Sequence, residues 1–196
     1  MSTTHTKRLY NVKTFSRFMR DAVTGFSDLR KARRDAGIGE AFSERIMLAV
    51  TQVNGCALCS YAHTQAALSG GMEQDEVDLL LAGEFSDAPQ EQRLALIWAE
   101  HYAETVGRPD PATTARLVET YGPAHAAQIV GTTQAMMVGN LHGNMVDALR
   151  HRFRGEPFQG STLGRELGIA VGIIWILPAA VIAGMFRRPE PRPLTA

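Results

Sequence analysis

Apolar residues recur three and four positions apart along most of this chain and nowhere alternate with polar ones, so it is expected to fold as packed helices without a sheet. From Phe42 to Gln52 the spacing of Ile46, Ala49 and Val50, continued by Val53, marks a helix with Ser43 as its N-cap. Asn54-Gly55 ends it with a residue free to take positive φ. A second helix is expected from Cys56 to Leu68, stopped by Ser69-Gly70-Gly71. Further helices follow at Glu73–Ala82, from Pro89 to about Val106, and from Thr113 to Tyr121, where Gly122 closes the last. Pro123 then opens a long one running through Ala148. No internal repeat is visible, and the fold class is all-α.

At 196 residues the chain is long enough to bury a core. It divides into a basic N-terminal helical segment at 1–40, a helical core at 41–150, a basic linker at 151–166, an apolar helix at 167–186 and a tail at 187–196. Formal net charge is zero, but residues 1–40 carry nine Lys/Arg against four Asp/Glu, whereas 73–104 carry nine Asp/Glu against one Arg. Such opposite faces are expected to meet within or between subunits. The basic start lacks interleaved aromatics and a helix-turn-helix pattern, so nucleic acid is not an expected partner. Leu167–Phe186 is twenty residues without a charge, enough to cover a hydrocarbon core of about 30 Å. Gly164, Gly168 and Gly172 sit four apart on one face of it. Two expectations stand for it: a membrane segment, or a helix buried in an oligomer. Lys7, Arg8, Lys13, Arg17 and Arg20 interrupt any secretory h-region, which with the thiol chemistry points to a cytoplasmic main domain, anchored to the membrane by this segment if it spans.

The chemistry is concentrated in one stretch. The only two cysteines, Cys56 and Cys59, form a C-x-x-C pair, which in a reducing compartment means redox chemistry or metal. A helix starting at Cys56 directs its free N–H groups toward the sulfurs and favours thiolate. Three residues apart, the two can close a disulfide. His63 lies four beyond Cys59, on the next turn of the same face, where an imidazole can take or return a proton. Glu44, on the preceding helix, meets His63 if the two helices pack antiparallel across Asn54-Gly55. The rival readings are a buried structural pair, or zinc held by Cys56, Cys59, His63 and Glu44. Structural zinc usually closes with a second Cys/His pair, and the sequence has none. No flavin or nicotinamide fingerprint appears, so no cofactor is expected.

Glutamate, eleven residues, C-x-x-C, three residues, histidine: this pattern resembles the alkylhydroperoxidase AhpD-like proteins of the carboxymuconolactone decarboxylase superfamily. Val53-Asn54-Gly55-Cys56 before the pair and Ala66-Ala67-Leu68-Ser69-Gly70-Gly71 after His63 fit as well. The likeness is strong over about 40–85, weaker to about 150, and does not reach the C-terminal segment. It implies an AhpD-like helical fold in trimers or hexamers, with thiol-dependent peroxidase or disulfide-exchange activity. It further implies that Cys59 attacks a hydroperoxide, Cys56 resolves, and Glu44 and His63 relay protons. An external dithiol, protein or small thiol, would then reduce the pair. Family peroxidases often place histidine just before the second cysteine, where this chain has Leu58. The decarboxylase branch generally lacks the C-x-x-C. Alternatives carried forward are a disulfide-exchange adaptor, a non-catalytic zinc-stabilised interaction module, and a membrane-associated assembly protein that keeps only the fold.

Asn140 and Asn144 share a helix face, with Gly139 and Gly143 permitting close approach. That stretch is expected either to line a wall beside the thiols or to satisfy polar groups across a tight helix crossing. His101, His125 and His151 show no constellation, and Met136 and Met137 read as core or interface filler.

Overall fold

The computed structural model describes residues 7–32 and 37–186, so the first six residues and the tail at 187–196, with its arginines, lie outside it. Among the described residues the fold is all helical: α1 (Val12–Ala32), α2 (Glu40–Asn54), α3 (Ala57–Ser69), α4 (Gln74–Ala82), α5 (Arg93–Glu104), α6 (Pro111–Phe153), α7 (Leu163–Ala170) and α8 (Ile173–Phe186). A short 3₁₀ turn, Gln90–Gln92, leads into α5 after Pro89.

The expected phasing of α2 to α5 holds, with one shift at the start. α2 begins at Glu40 rather than near Ser43, after Gly39 at φ 82°. The Ser43 hydroxyl bonds back to the Gly39 carbonyl at 2.8 Å, so it supports the first turn from inside instead of capping it. α6 is two helical stretches joined at Gly122, whose φ of 71° and ψ of 163° break the ladder just before Pro123. The Asp110 side chain caps its start, accepting from the N–H groups of Ala112 and Thr113.

α6 is the axis of the molecule, with α1, α2, α5 and α7 laid against it and α3 touching it at the sulfur pair. Phe15 and Phe18 of α1, Ile46 and Leu48 of α2, Leu96 of α5, and Ile129, Met137, Leu141 and Met145 of α6 are fully buried between these helices. Each such side chain contributes roughly 1.5–3 kcal/mol on burial. Met136 and Met137 are both buried in this core, one of the two roles expected of them.

The C-terminal part differs from the expectation. No continuous helix runs over Leu167–Phe186; it is broken between α7 and α8 at Val171 and Gly172. There the ladder tightens, Ile174 N–H bonding to Val171 and Trp175 N–H to Gly172, three residues back instead of four. The break lets each half dock separately. His142 of α6 holds the last carbonyl of α7, Ala170 O, at 3.2 Å, while α8 lies along α1. Among the described residues no helix is long and apolar enough to cross a membrane.

The basic stretch at 151–166 is also more built than a linker. α6 continues through Phe153 and α7 starts at Leu163. Arg152 makes a two-pronged contact with the fully buried Glu166, Nε to Oε2 at 2.6 Å and Nη2 to Oε1 at 2.9 Å. That guanidinium holds the Glu166 carboxyl below the usual carboxylate range against the opposing effect of burial. Lys7 pairs with Asp147 and lies over the Phe158 ring, and burial lowers its pKa.

Candidate functional site

The site is built on the reversal between α2 and α3. Gly55 takes the left-handed conformation, φ 62° and ψ 36°, and its N–H closes α2 on Thr51 O at 2.9 Å. Cys56 follows in extended conformation and is itself the N-cap of α3. Its sulfur accepts from the backbone N–H of Cys59 at 3.3 Å, the place usually filled by a Ser or Asp oxygen. Cys56 and Cys59 are joined in a disulfide with Cα atoms 5.3 Å apart, well inside the range such a bridge needs.

The same reversal folds α3 back along α2, and Glu44 meets His63, Oε2 to Nδ1 at 2.8 Å. The antiparallel packing expected across Asn54-Gly55 is thus present. An ionised carboxylate only accepts, so Nδ1 carries the proton and Nε2 is the nitrogen able to take one up. The pair is half-buried.

Cys56 is 1% exposed and Cys59 9%, so both are buried and the second residue is the less covered of the two. Around it α3 presents Leu58, 57% exposed, and Tyr61, 69% exposed. No Asp, Glu, Lys or Arg lies on α3, so the rim it provides is uncharged.

Behind the sulfurs stands α6. A Cβ added at Gly143 would lie 2.7 Å from Cys56 Sγ and 3.2 Å from Cys59 Sγ, contacts no side chain tolerates without displacement. Gly143 is therefore the wall of the thiol site. Gly139 is exposed, and a Cβ there meets nothing closer than Met136 Cε at 3.7 Å. The neighbouring asparagines span the crossing to α2: Asn140 donates to Thr51 Oγ1 at 3.1 Å and accepts from Asn54 at 3.2 Å. Asn144 donates to Asn54 O at 2.8 Å. The asparagines thus bridge the crossing while Gly143 faces the sulfurs, and Asn144 Oδ1 is left buried without a hydrogen-bond partner.

Asn54, immediately before the Gly55-Cys56 turn, is held further by the segment that precedes α1. Tyr10 donates to its Oδ1 at 3.1 Å, and Arg8 N–H to its carbonyl at 3.2 Å. Neither Tyr10, Arg8 nor Thr51 was singled out from sequence, because nothing local marks a contact across so many residues. His151, for which the sequence shows no constellation, stacks on Phe158 with ring centroids 4.7 Å apart and lies 4.0 Å from Asp147 and 3.7 Å from Glu156. His101 is structural, accepting the Asp110 N–H at 3.2 Å.

Glu100, across from Gln52, is a half-buried carboxyl raised above its ordinary range, first by burial and then by the charge of Glu104, with the Gln52 hydrogen bond opposing. Among the described residues no group of three or more His, Cys, Asp or Glu side chains is arranged to hold a metal ion.

A family model described as the carboxymuconolactone decarboxylase family matches residues 20–101, a stretch from inside α1 to inside α5 that contains Glu44, Cys56, Cys59 and His63. No curated protein and no solved structure matches the chain.

Proposed function

We propose that this chain, whose residues 20–101 match the model of the carboxymuconolactone decarboxylase family, is a thiol-dependent hydroperoxide reductase working through a Cys56/Cys59 dithiol–disulfide cycle. The observation that carries the reading is the disulfide set at the start of α3, with Cys59 the less buried residue of the two and the Glu44–His63 pair one turn beyond.

In the reduced enzyme, the Cys59 thiolate attacks the terminal oxygen of ROOH. An S–O bond forms, the O–O bond breaks, and RO⁻ leaves as ROH with a proton relayed by His63, whose charge Glu44 balances. Cys56, whose sulfur accepts the Cys59 N–H at the helix start, attacks the Cys59 sulfenic acid and releases water. An external dithiol, protein or small thiol, reduces the resulting disulfide. The net change is one hydroperoxide and one dithiol converted to alcohol, water and one disulfide. A cycle of this kind suits the cytoplasm, where a thiol pool keeps such pairs reducible. The same reading includes a homo-oligomer, trimer or hexamer.

One feature favours a second reading. Leu58 stands exposed on the rim where family peroxidases often have histidine, and an apolar rim suits contact with another protein more than proton delivery. The alternative is an adaptor that exchanges disulfides with a partner protein and barely reacts with peroxide. Steady-state consumption of an organic hydroperoxide with dithiothreitol as donor separates them. A peroxidase loses activity in Cys59→Ser and in Cys56→Ser. An adaptor consumes peroxide no faster than Cys59→Ser while still reducing a protein disulfide.

A further inference from the structure

We propose that the apolar face of α7 and α8 seats this protein in the plane of an anionic lipid surface, an inference independent of the redox reading above. The fourteen residues of α8 include no charged or polar side chain, and among the described helices the one packed along it is α1. Ile174, Trp175, Val181 and Ile182 are exposed, and the stripe continues back over Leu167 and Val171 of α7. A helix apolar on every side requires cover on every side. An uncovered stripe of this length marks an interaction or membrane surface.

Length decides the orientation. Fourteen residues rise roughly 21 Å, short of the hydrocarbon thickness of about 30 Å, and the other side of α8 is held by the folded domain. The helix therefore lies along the interface, with Trp175, 75% exposed, at the depth indole rings prefer.

Charge decides the occupant. Exposed Lys13 sits beside Val12, whose side chain approaches Gly168 of α7, and Arg165 lies two residues before Leu167, with exposed Arg150 and Arg154 further back at the end of α6. The nearby carboxylates are largely spent: Glu166 is buried against Arg152, and Asp147 is taken by Lys7. Glu156 remains, and it faces His151. Among the described residues, the α7 end of the stripe is thus bordered mainly by cations, complementary to anionic headgroups. A second copy docking through the same face would bring two such rims together and repel.

The test uses the full chain with vesicles of phosphatidylcholine containing phosphatidylglycerol, against vesicles of phosphatidylcholine alone. The chain has two tryptophans and Trp98 is buried, so a change in emission reports Trp175. Co-sedimentation and a blue shift are expected with the anionic vesicles only, weakening at about 1 M salt, where the Debye length falls to about 3 Å. Ile174→Glu, at an exposed position, is expected to lower binding at least tenfold with the thermal melt unchanged. Lys13→Glu with Arg154→Glu is expected to remove the salt-sensitive part. Binding that survives Ile174→Glu, equal binding to uncharged vesicles, or no binding at all overturns the proposal. So does a vesicle-free protein whose Trp175 emission is already blue-shifted and whose mass is a multiple of the chain, because a second copy then covers the face.

Discussion

Gly143→Ala is the substitution whose effect the geometry specifies most closely. The new methyl would lie 2.7 Å from Cys56 Sγ and 3.2 Å from Cys59 Sγ. Carbon and sulfur settle at about 3.5–4.0 Å, so the bridge would have to withdraw by roughly 1 Å. A disulfide must move as one body together with the start of α3, and overpacking of this kind costs about 1–3 kcal/mol. Two separate thiols can each rotate about their own Cα–Cβ bond and escape most of that cost. Alanine also gains about 1 kcal/mol over glycine inside a helix, equally in both redox states. The melting temperature of the reduced variant should therefore match or exceed that of the parent, while the oxidised variant falls behind. The difference between states converts to a rise in reduction potential of about 20–65 mV, at 30 mV per 1.4 kcal/mol. Equilibration against dithiothreitol or glutathione buffers reads it directly. Gly139→Ala is the control: its methyl meets only Met136 Cε at 3.7 Å, so it should stabilise both states by about 1 kcal/mol and leave the potential alone. An unmoved potential in Gly143→Ala, or equal destabilisation of the oxidised and reduced forms, would refute the argument that Gly143 is the wall behind the sulfurs.

Three other outcomes are expected. Glu44→Gln removes the charge that balances a protonated His63 and should slow peroxide-driven oxidation of the dithiol about 10–100-fold in stopped flow, with both thiols still able to form the bridge. Asn140→Ala takes away the donor to Thr51 Oγ1 and the acceptor for Asn54, costing about 1–3 kcal/mol, seen as a melting point roughly 2–12 °C lower. Glu166 has a carboxyl whose folded pKa is depressed by Arg152, so its contribution is full above the unfolded carboxylate pKa of about 4.3 and is lost as pH falls through the lower folded value. Glu166→Gln should accordingly melt earlier than the parent at neutral pH, and the gap should narrow below about pH 4 in acid-titration melts.

Local signals carried the reading from α2 to α6. Gly55, Gly70-Gly71 and Gly122 interrupt the 3.6-residue period where the chain turns, and the spacing of Glu44, Cys56, Cys59 and His63 survives translation into two helices folded back on each other. What stayed hidden depends on partners distant in sequence. Ser43 looks like a cap until Gly39 is seen to lead α2 in earlier. Gly139 and Gly143 are equivalent as letters, and only the position of the bridge shows that the second faces sulfur. Arg152 reads as a linker charge because Glu166, its buried partner, lies across a loop. The uncharged run at 167–186 suggests one long helix because hydropathy does not record that α6 and α1 each hold half of it.

The central claim, a working dithiol cycle at Cys56 and Cys59, is tested most directly by intact mass and thiol counting on the reduced protein before and after one equivalent of an organic hydroperoxide. The account predicts loss of both thiols with a mass decrease equal to two hydrogens, and in Cys59→Ser no peroxide-dependent change. Two thiols that persist through the treatment would contradict it.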